Sequence, residues 1–325
     1  MNRLLFKIFS LLIVIYITVF SYIEFFPMYY NSVDNTRWYY FKQIFEKNIK
    51  IEQSSILFLG DSRLNTNVDA KKIPNSWSFA AGGSSPIEMY YALNNYCNIY
   101  AKPDTLFVSF SPRTFIEAYS FWGYAVRNNY FAVNQFNEIL ENLQKYENDT
   151  VLGKFPKAHF ELYKLNYIEY YQTDLYKNHV FLARSKNKQI INHFQAKKGI
   201  WNYPNLKNGC DALNYETGLK QFKPSDLLNL YFVKLLDFCK KENIYLIFDF
   251  MPMNESSYKS LNKSFVTEYK NYIGNIAGKY PEFIISDTVY YYKNEYFGDE
   301  SHLNLKGKKI FTKYLQNKYL TKNKK

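Results

Sequence analysis

Gly60-Asp61-Ser62-Arg63 follows directly on a short apolar run, residues 55–60, that itself ends in glycine. A serine at a strand-to-helix turn exposes its hydroxyl at the edge of a sheet, beside backbone N–H groups able to stabilise an oxyanion. Late in the chain, Asp299 and His302 stand three residues apart in Phe297-Gly-Asp-Glu-Ser-His-Leu-Asn-Leu-Lys-Gly307, just before the last helical stretch. A nucleophilic serine needs a base to take its proton and a group to fix that base's tautomer, and one short loop offers both. Taken singly, each signal is also ordinary turn and cap chemistry, since Gly, Asp and Ser are common turn and N-cap residues. Their combination selects Ser62 as nucleophile, His302 as base and Asp299 as its orienter. Between the two blocks lies Ala80-Ala81-Gly82-Gly83-Ser84-Ser85-Pro86, where small residues allow close backbone approach and a helix start offers N–H groups. Gly83 is the expected oxyanion donor there, beside the amide of Ser62, and a plain glycine turn is the simpler alternative.

These residues need a scaffold that gathers them at one edge. Short apolar runs at 55–60, 77–81, 105–110, 244–250 and 283–285 read as strands buried on both faces. Helix-like stretches at 87–100, 225–241 and 266–279 alternate with them. That rhythm predicts an α/β fold, a doubly wound parallel sheet of about five strands with helices on both faces. Ligand chemistry in such folds gathers at the carboxyl ends of the strands. The stretch 115–223 breaks the rhythm and is expected to be a largely helical insertion, forming a lid or a docking face. The expected organisation is therefore an N-terminal segment 1–30, a connector 31–53, and a catalytic domain 54–325 carrying the insertion.

Residues 4–26 are apolar apart from a few polar positions, and a spanning helix needs about 20 such residues. Bulky Tyr22, Ile23, Phe25 and Phe26 close the segment where a cleaved signal peptide would have small residues, so an uncleaved bilayer anchor is expected. Arg3 and Lys7 lie before or at the start of this span, while its far flank carries Glu24 and Asp34 before the first basic residue, Arg37, which predicts a cytoplasmic N-terminus and an extracytoplasmic domain at the cell membrane. Tyr29, Tyr30, Trp38, Tyr39 and Tyr40 suit either the outer headgroup layer or ordinary packing. The formal charge of +12 fits an anionic surface or polymer, and equally a general enrichment in lysine, as the basic tail 318–325 illustrates. No nucleic-acid motif is present. Cys97, Cys210 and Cys239 allow one bridge at most, and His159, His179 and His193 lack metal-like spacing, so neither metal nor cofactor is expected. Aromatic stretches 119–124 and 167–171 read as sugar-stacking surface or, more simply, as core.

Together the Gly-Asp-Ser block and the Asp-x-x-His block resemble the SGNH/GDSL hydrolase superfamily, over residues 54–111 and 243–315. The resemblance implies a flavodoxin-like sheet, Ser62 as nucleophile, His302 as base, Asp299 as its partner, and an oxyanion hole of the Ser62 and Gly83 amides plus an asparagine. That asparagine belongs to a Gly-x-Asn-Asp block; here the strand ends Ser109-Phe-Ser-Pro-Arg113, which leaves Ser111 or Arg113 as replacements. The single anchor, the Gly-Gly-Ser-Ser-Pro block, Met251-Pro252 and the His-Leu-Asn-x-x-Gly ending look most like membrane-anchored acyl-transfer proteins, among them alginate O-acetylation proteins and the teichoic-acid D-alanylation protein. The resemblance implies transfer of an acyl group, commonly acetyl, to a cell-surface glycan or polymer beside a multi-spanning O-acyltransferase. An esterase using water, and a non-catalytic docking protein, remain the alternatives.

Overall fold

The computed structural model describes residues 2–118, 120–146, 168–179, 181–201 and 208–320. Its centre is a five-stranded, wholly parallel sheet in the order β2-β1-β3-β4-β6, formed by β1 (Ile56–Gly60), β2 (Ser76–Ser78), β3 (Thr105–Ser109), β4 (Tyr245–Phe248) and β6 (Ile284–Ile285). A two-stranded parallel ladder, β5 (Met253–Asn254) with β7 (Tyr291–Tyr292), stands beside it. Burial on both faces explains why the strand sequences are largely apolar. Leu57, Leu59, Leu106, Val108, Leu246 and Phe248 join one core cluster, whereas Phe58, Phe107 and Ile247 join the other. Successive side chains of a strand point to opposite faces, so a strand covered on both sides has no polar face to show.

The first cluster is completed by α2 (Val33–Phe45), α4 (Pro86–Cys97), α8 (Asp226–Glu242) and α10 (Lys263–Lys279). The second takes residues from α3 (Ser62–Asn67) and α11 (Leu305–Leu315). Expected element boundaries shift by up to three residues, among the strands most at β2 and β4, which are shorter than their apolar runs.

The expected connector, 31–53, is largely structured and packed. Most of it is α2, whose Trp38, Tyr40, Phe41 and Ile44 are buried in the main core. Its aromatic residues therefore pack rather than mark a headgroup layer, and Tyr30 is buried as well. The insertion holds this segment from outside. Asp174, in α6 (Ile168–Lys177), accepts hydrogen bonds from the Ser32 amide, the Asn35 side chain and Arg127 at 3.1, 2.9 and 2.8 Å. Asn187, in α7 (Ala183–Ala196), donates to the Met28 and Asn31 carbonyls. Ahead of the clamped segment lies α1 (Asn2–Phe25), the one described helix long and apolar enough to cross a membrane, with none of its apolar window buried in the protein.

The described part of the insertion is largely helical, comprising the π-helix Phe121–Val126, α5 (Val133–Lys145), α6, α7 and the short turn Tyr215–Gly218. Phe121 and Trp122 are buried, so the described part of the first aromatic stretch is core. Tyr119, Tyr167 and the side chains of 168–171 lie outside the described residues, as does His159. The insertion also extends the sheet edge. Ser78 donates its amide to Lys198 O at 2.9 Å, and Gly199 (φ 82°) lies so close that a Cβ there would sit 1.9 Å from Ser78 O. All three cysteines are free thiols.

Candidate active site

Ser62, His302 and Asp299 form one hydrogen-bonded series at the carboxyl edge of the sheet. His302 Nε2 lies 2.9 Å from Ser62 Oγ, and His302 Nδ1 lies 2.8 and 3.0 Å from the two Asp299 oxygens. A carboxylate at Nδ1 fixes the proton there, which leaves Nε2 to accept the Ser62 hydroxyl hydrogen. The His302 side chain is 14% exposed and that of Asp299 34%, so the series is shielded yet reachable. Burial works to raise the Asp299 carboxyl. Hydrogen bonds from His302 and from the Ser301 and His302 amides outweigh it, holding the group below the ordinary carboxylate range.

The local sequence builds this geometry from short, specific devices. β1 ends at Gly60, where a Cβ would meet Ser109 O at 2.0 Å, so only glycine allows β1 and β3 to approach so closely. Asp61 then caps α3 by accepting from the Arg63 amide at 2.9 Å, and its second oxygen accepts from the Ser111 amide at 2.8 Å. Ser62 is thus the first helical residue, with an amide that has no intrahelical acceptor. Asn67, the last residue of α3, accepts from the Leu303 amide at 2.9 Å and so ties the His302 loop to the helix that carries Ser62. That loop is closed by the Phe297–Leu303 bridge and by Gly298 N donating to His302 O. The His-Leu-Asn-x-x-Gly ending has a structural basis too. Asn304 caps α11, and a Cβ on Gly307 would lie 2.4 Å from Tyr296 O.

Gly82 and the expected Gly83 form the turn beside Ser62. A Cβ built on Gly82 would lie 3.9 Å from Ser62 Cβ, whereas Gly83 takes the left-handed conformation, φ 72°, at the third position of the turn closed by Ser84 N to Ala81 O. Among the described residues the amides of Ser62, Gly82 and Gly83 donate no backbone hydrogen bond, so this edge presents donors to a ligand. The expected third donors, Ser111 and Arg113, each have a partner of their own. The Ser111 amide is donated to Asp61, while Arg113 pairs with Glu117 and lies over the Tyr215 ring. Sequence reasoning passed over Asn67, Asp61's second contact and the Arg63–Glu216 ion pair. The two asparagines in Arg63-Leu-Asn-Thr-Asn67 were the available signal, because polar side chains beside an apolar strand must find buried partners.

Ser84 and Ser85 lock the turn from below. Ser84 Oγ donates to Gly60 O at 2.6 Å, and Ser85 caps α4 in a reciprocal pair with Glu88, whose Oε2 accepts from the Ser85 amide and hydroxyl at 2.8 and 2.5 Å. Glu88 is wholly buried, and burial pushes its carboxyl from 4.5 up to about 7 against those hydrogen bonds. Between these two values the folded chain keeps a proton that the unfolded chain has lost. Stability is therefore intact below the unfolded value and falls as pH rises through about 7, by on the order of 3 kcal/mol in total. Glu88→Gln is expected to flatten this slope, making the variant more stable than the parent near pH 8 but not near pH 5. Denaturant unfolding of both proteins at the two pH values measures it; parallel slopes would refute it.

A scan against protein-family models finds none that matches the chain, and a search of curated proteins finds none similar to it. The assignment of chemistry therefore rests on the residues themselves. A hydroxyl, an imidazole and an ionised carboxylate in series, facing unpaired amides, can carry out acyl transfer through a covalent serine ester.

Proposed function

We propose that the protein is an SGNH-type serine acyltransferase of the cell envelope, anchored by α1, that moves an acyl group, commonly acetyl, onto a cell-surface glycan or polymer. One observation carries this reading: the unbroken series Ser62 Oγ, His302 Nε2, His302 Nδ1, Asp299 at 2.9 and 2.8 Å. The 2-1-3-4-6 order of the parallel sheet supports the superfamily, because with the short β5 set aside it is the flavodoxin-like order.

In this mechanism Ser62 Oγ attacks the acyl carbonyl as its proton passes to His302 Nε2. The resulting oxyanion is met by the Ser62 amide and by the Gly82-Gly83 turn. Collapse expels the donor's leaving group, which takes the proton from His302. An acceptor hydroxyl then attacks the ester and gives its proton to His302; collapse breaks the Ser62 ester bond, returns that proton to Ser62 Oγ and releases the acylated acceptor. Water in that last step makes the same site an esterase, and exclusion of water decides between them. Hydrogen-bonding distance between Ser62 and His302 favours catalysis over a purely docking role, which would not need it. A multi-spanning O-acyltransferase beside α1 is the proposed source of the donor.

The test is a chromogenic acetyl ester given to the full chain in mild detergent, followed by intact mass and peptide mapping. Truncation inside α2 is to be avoided, because that helix belongs to the core. One added acetyl group on the Ser62 peptide is expected. Its absence, with the ester still hydrolysed at the rate of a Ser62→Ala control, would remove the serine from the mechanism.

A further inference from the structure

Tyr215 is tethered to both neighbours of Ser62. On one side its chain neighbour Glu216 holds Arg63, the residue after Ser62, with Arg63 Nη2 lying 2.7 and 2.6 Å from the two carboxylate oxygens. On the other, the Arg113 guanidinium lies 3.9 Å from the centre of the Tyr215 ring. Arg113 belongs to the 3-10 turn Pro112–Phe115, and the residue before that turn, Ser111, donates its amide to Asp61, the residue before Ser62. The Arg63–Glu216 pair is itself buried, while Tyr215 stays 49% exposed. Asn214 fixes the turn from below, donating its amide to Ser257 Oγ at 3.0 Å. The ring thus has the Arg113 guanidinium on it, stays half exposed, and is linked to the site's serine through the Arg63–Glu216 pair. A large exposed tyrosine held in this way loses little entropy on binding, and its π-face suits the C–H face of a pyranose. The helix α9 (Glu255–Lys259) packs against both the Tyr215 turn and β7, and so brings a second half-exposed ring, Tyr291, into the neighbourhood.

Resting on the acyl-transfer reading, we infer that Tyr215 is the stacking platform for a pyranose ring of the glycan acceptor and so determines acceptor specificity beside Ser62. The sugar lies on the open face of Tyr215 and presents a hydroxyl to the Ser62 ester, while Arg113 fixes the ring from behind. The carbohydrate surface is then at the end of the insertion, away from the buried Phe121 and Trp122.

The experiment measures transfer from the acetylated full-length protein to soluble oligomers of β-1,4-linked N-acetylglucosamine and, separately, of β-1,4-linked uronate. Tyr215→Ala is expected to raise KM for at least one oligomer about tenfold with kcat nearly unchanged, and Tyr215→Trp to restore it. A KM in Tyr215→Ala equal to the parent's would overturn the inference, as would a parent protein that is acetylated at Ser62 but transfers to neither oligomer. A fall in kcat alone, not recovered by tryptophan, also overturns it, because it marks a structural role. Failure of the parent to be acetylated at Ser62 is a different result and defeats the acyl-transfer reading itself.

Discussion

Ser62→Ala is expected to lower turnover of an activated acyl ester by about a million-fold, and His302→Ala by about as much, because each removes a member of a unit that works only when complete. The double variant should be no worse than either single one. Asp299→Asn is the more informative change. Asp299 Oδ1 also accepts from the Ser301 and His302 amides at 2.8 and 2.7 Å, and an asparagine oxygen can keep both bonds, so the loop survives the substitution. What fails is the tautomer. An amide nitrogen facing Nδ1 forces the proton to Nε2, where it blocks acceptance from Ser62, and a loss of about 10⁴ in kcat is expected.

Because Asp299 is held below the ordinary carboxylate range, it stays ionised throughout neutral and mildly acidic pH. The Asn defect should therefore persist across that range and not be rescued by raising the pH. Pre-steady-state acylation rates for the three variants at several pH values decide the matter. A Ser62→Ala protein retaining a large part of the parent rate would place the chemistry elsewhere, and an Asp299→Asn protein near the parent would leave His302 without need of its partner.

The sheet and the meeting of Ser62, His302 and Asp299 were legible because both are written in local patterns. Each buried strand is a short apolar run, and Ser62, Asp299 and His302 sit on the turns that follow or precede such elements. The core role of α2 was not legible. Its mixed sequence, with Asp34, Asn35, Arg37 and Lys42 among the aromatics, lacks a clean apolar stripe, and Asn35, Thr36 and Arg37 are nonetheless buried. What rescues them is tertiary. Arg37 lies over the Phe194 ring of α7 at 5.2 Å, and Asn35 is held by Asp174 and Asn128. None of these three partners is near in sequence, so no periodicity announces them. The turn of the two adjacent glycines was legible as a turn, but not the Ser85–Glu88 pair that starts α4 beneath it.

Removal of Glu216 should be the most damaging change to stability outside the triad. Its carboxylate is buried against Arg63, whose side chain is only 7% exposed, and the two close the end of the insertion onto α3. Glu216→Ala removes the carboxylate paired with a buried guanidinium charge, which is expected to lower unfolding stability by about 3–5 kcal/mol. The attraction itself is worth far less than that, because bringing both ions out of water costs nearly what their mutual attraction returns. Replacing both partners with apolar residues of similar size, Arg63→Met with Glu216→Leu, should therefore recover most of the loss. Denaturant unfolding of the single and double variants in the same detergent separates these terms. A single variant within about 1 kcal/mol of the parent would mean that the pair is solvated and contributes little. A double variant as unstable as the single one would mean instead that the geometry of the pair, not the buried charge, holds the insertion in place. In the expected case stability returns without the tether, and the rate of glycan transfer in the double variant then reports whether the ion pair also fixes the Tyr215 ring relative to Ser62.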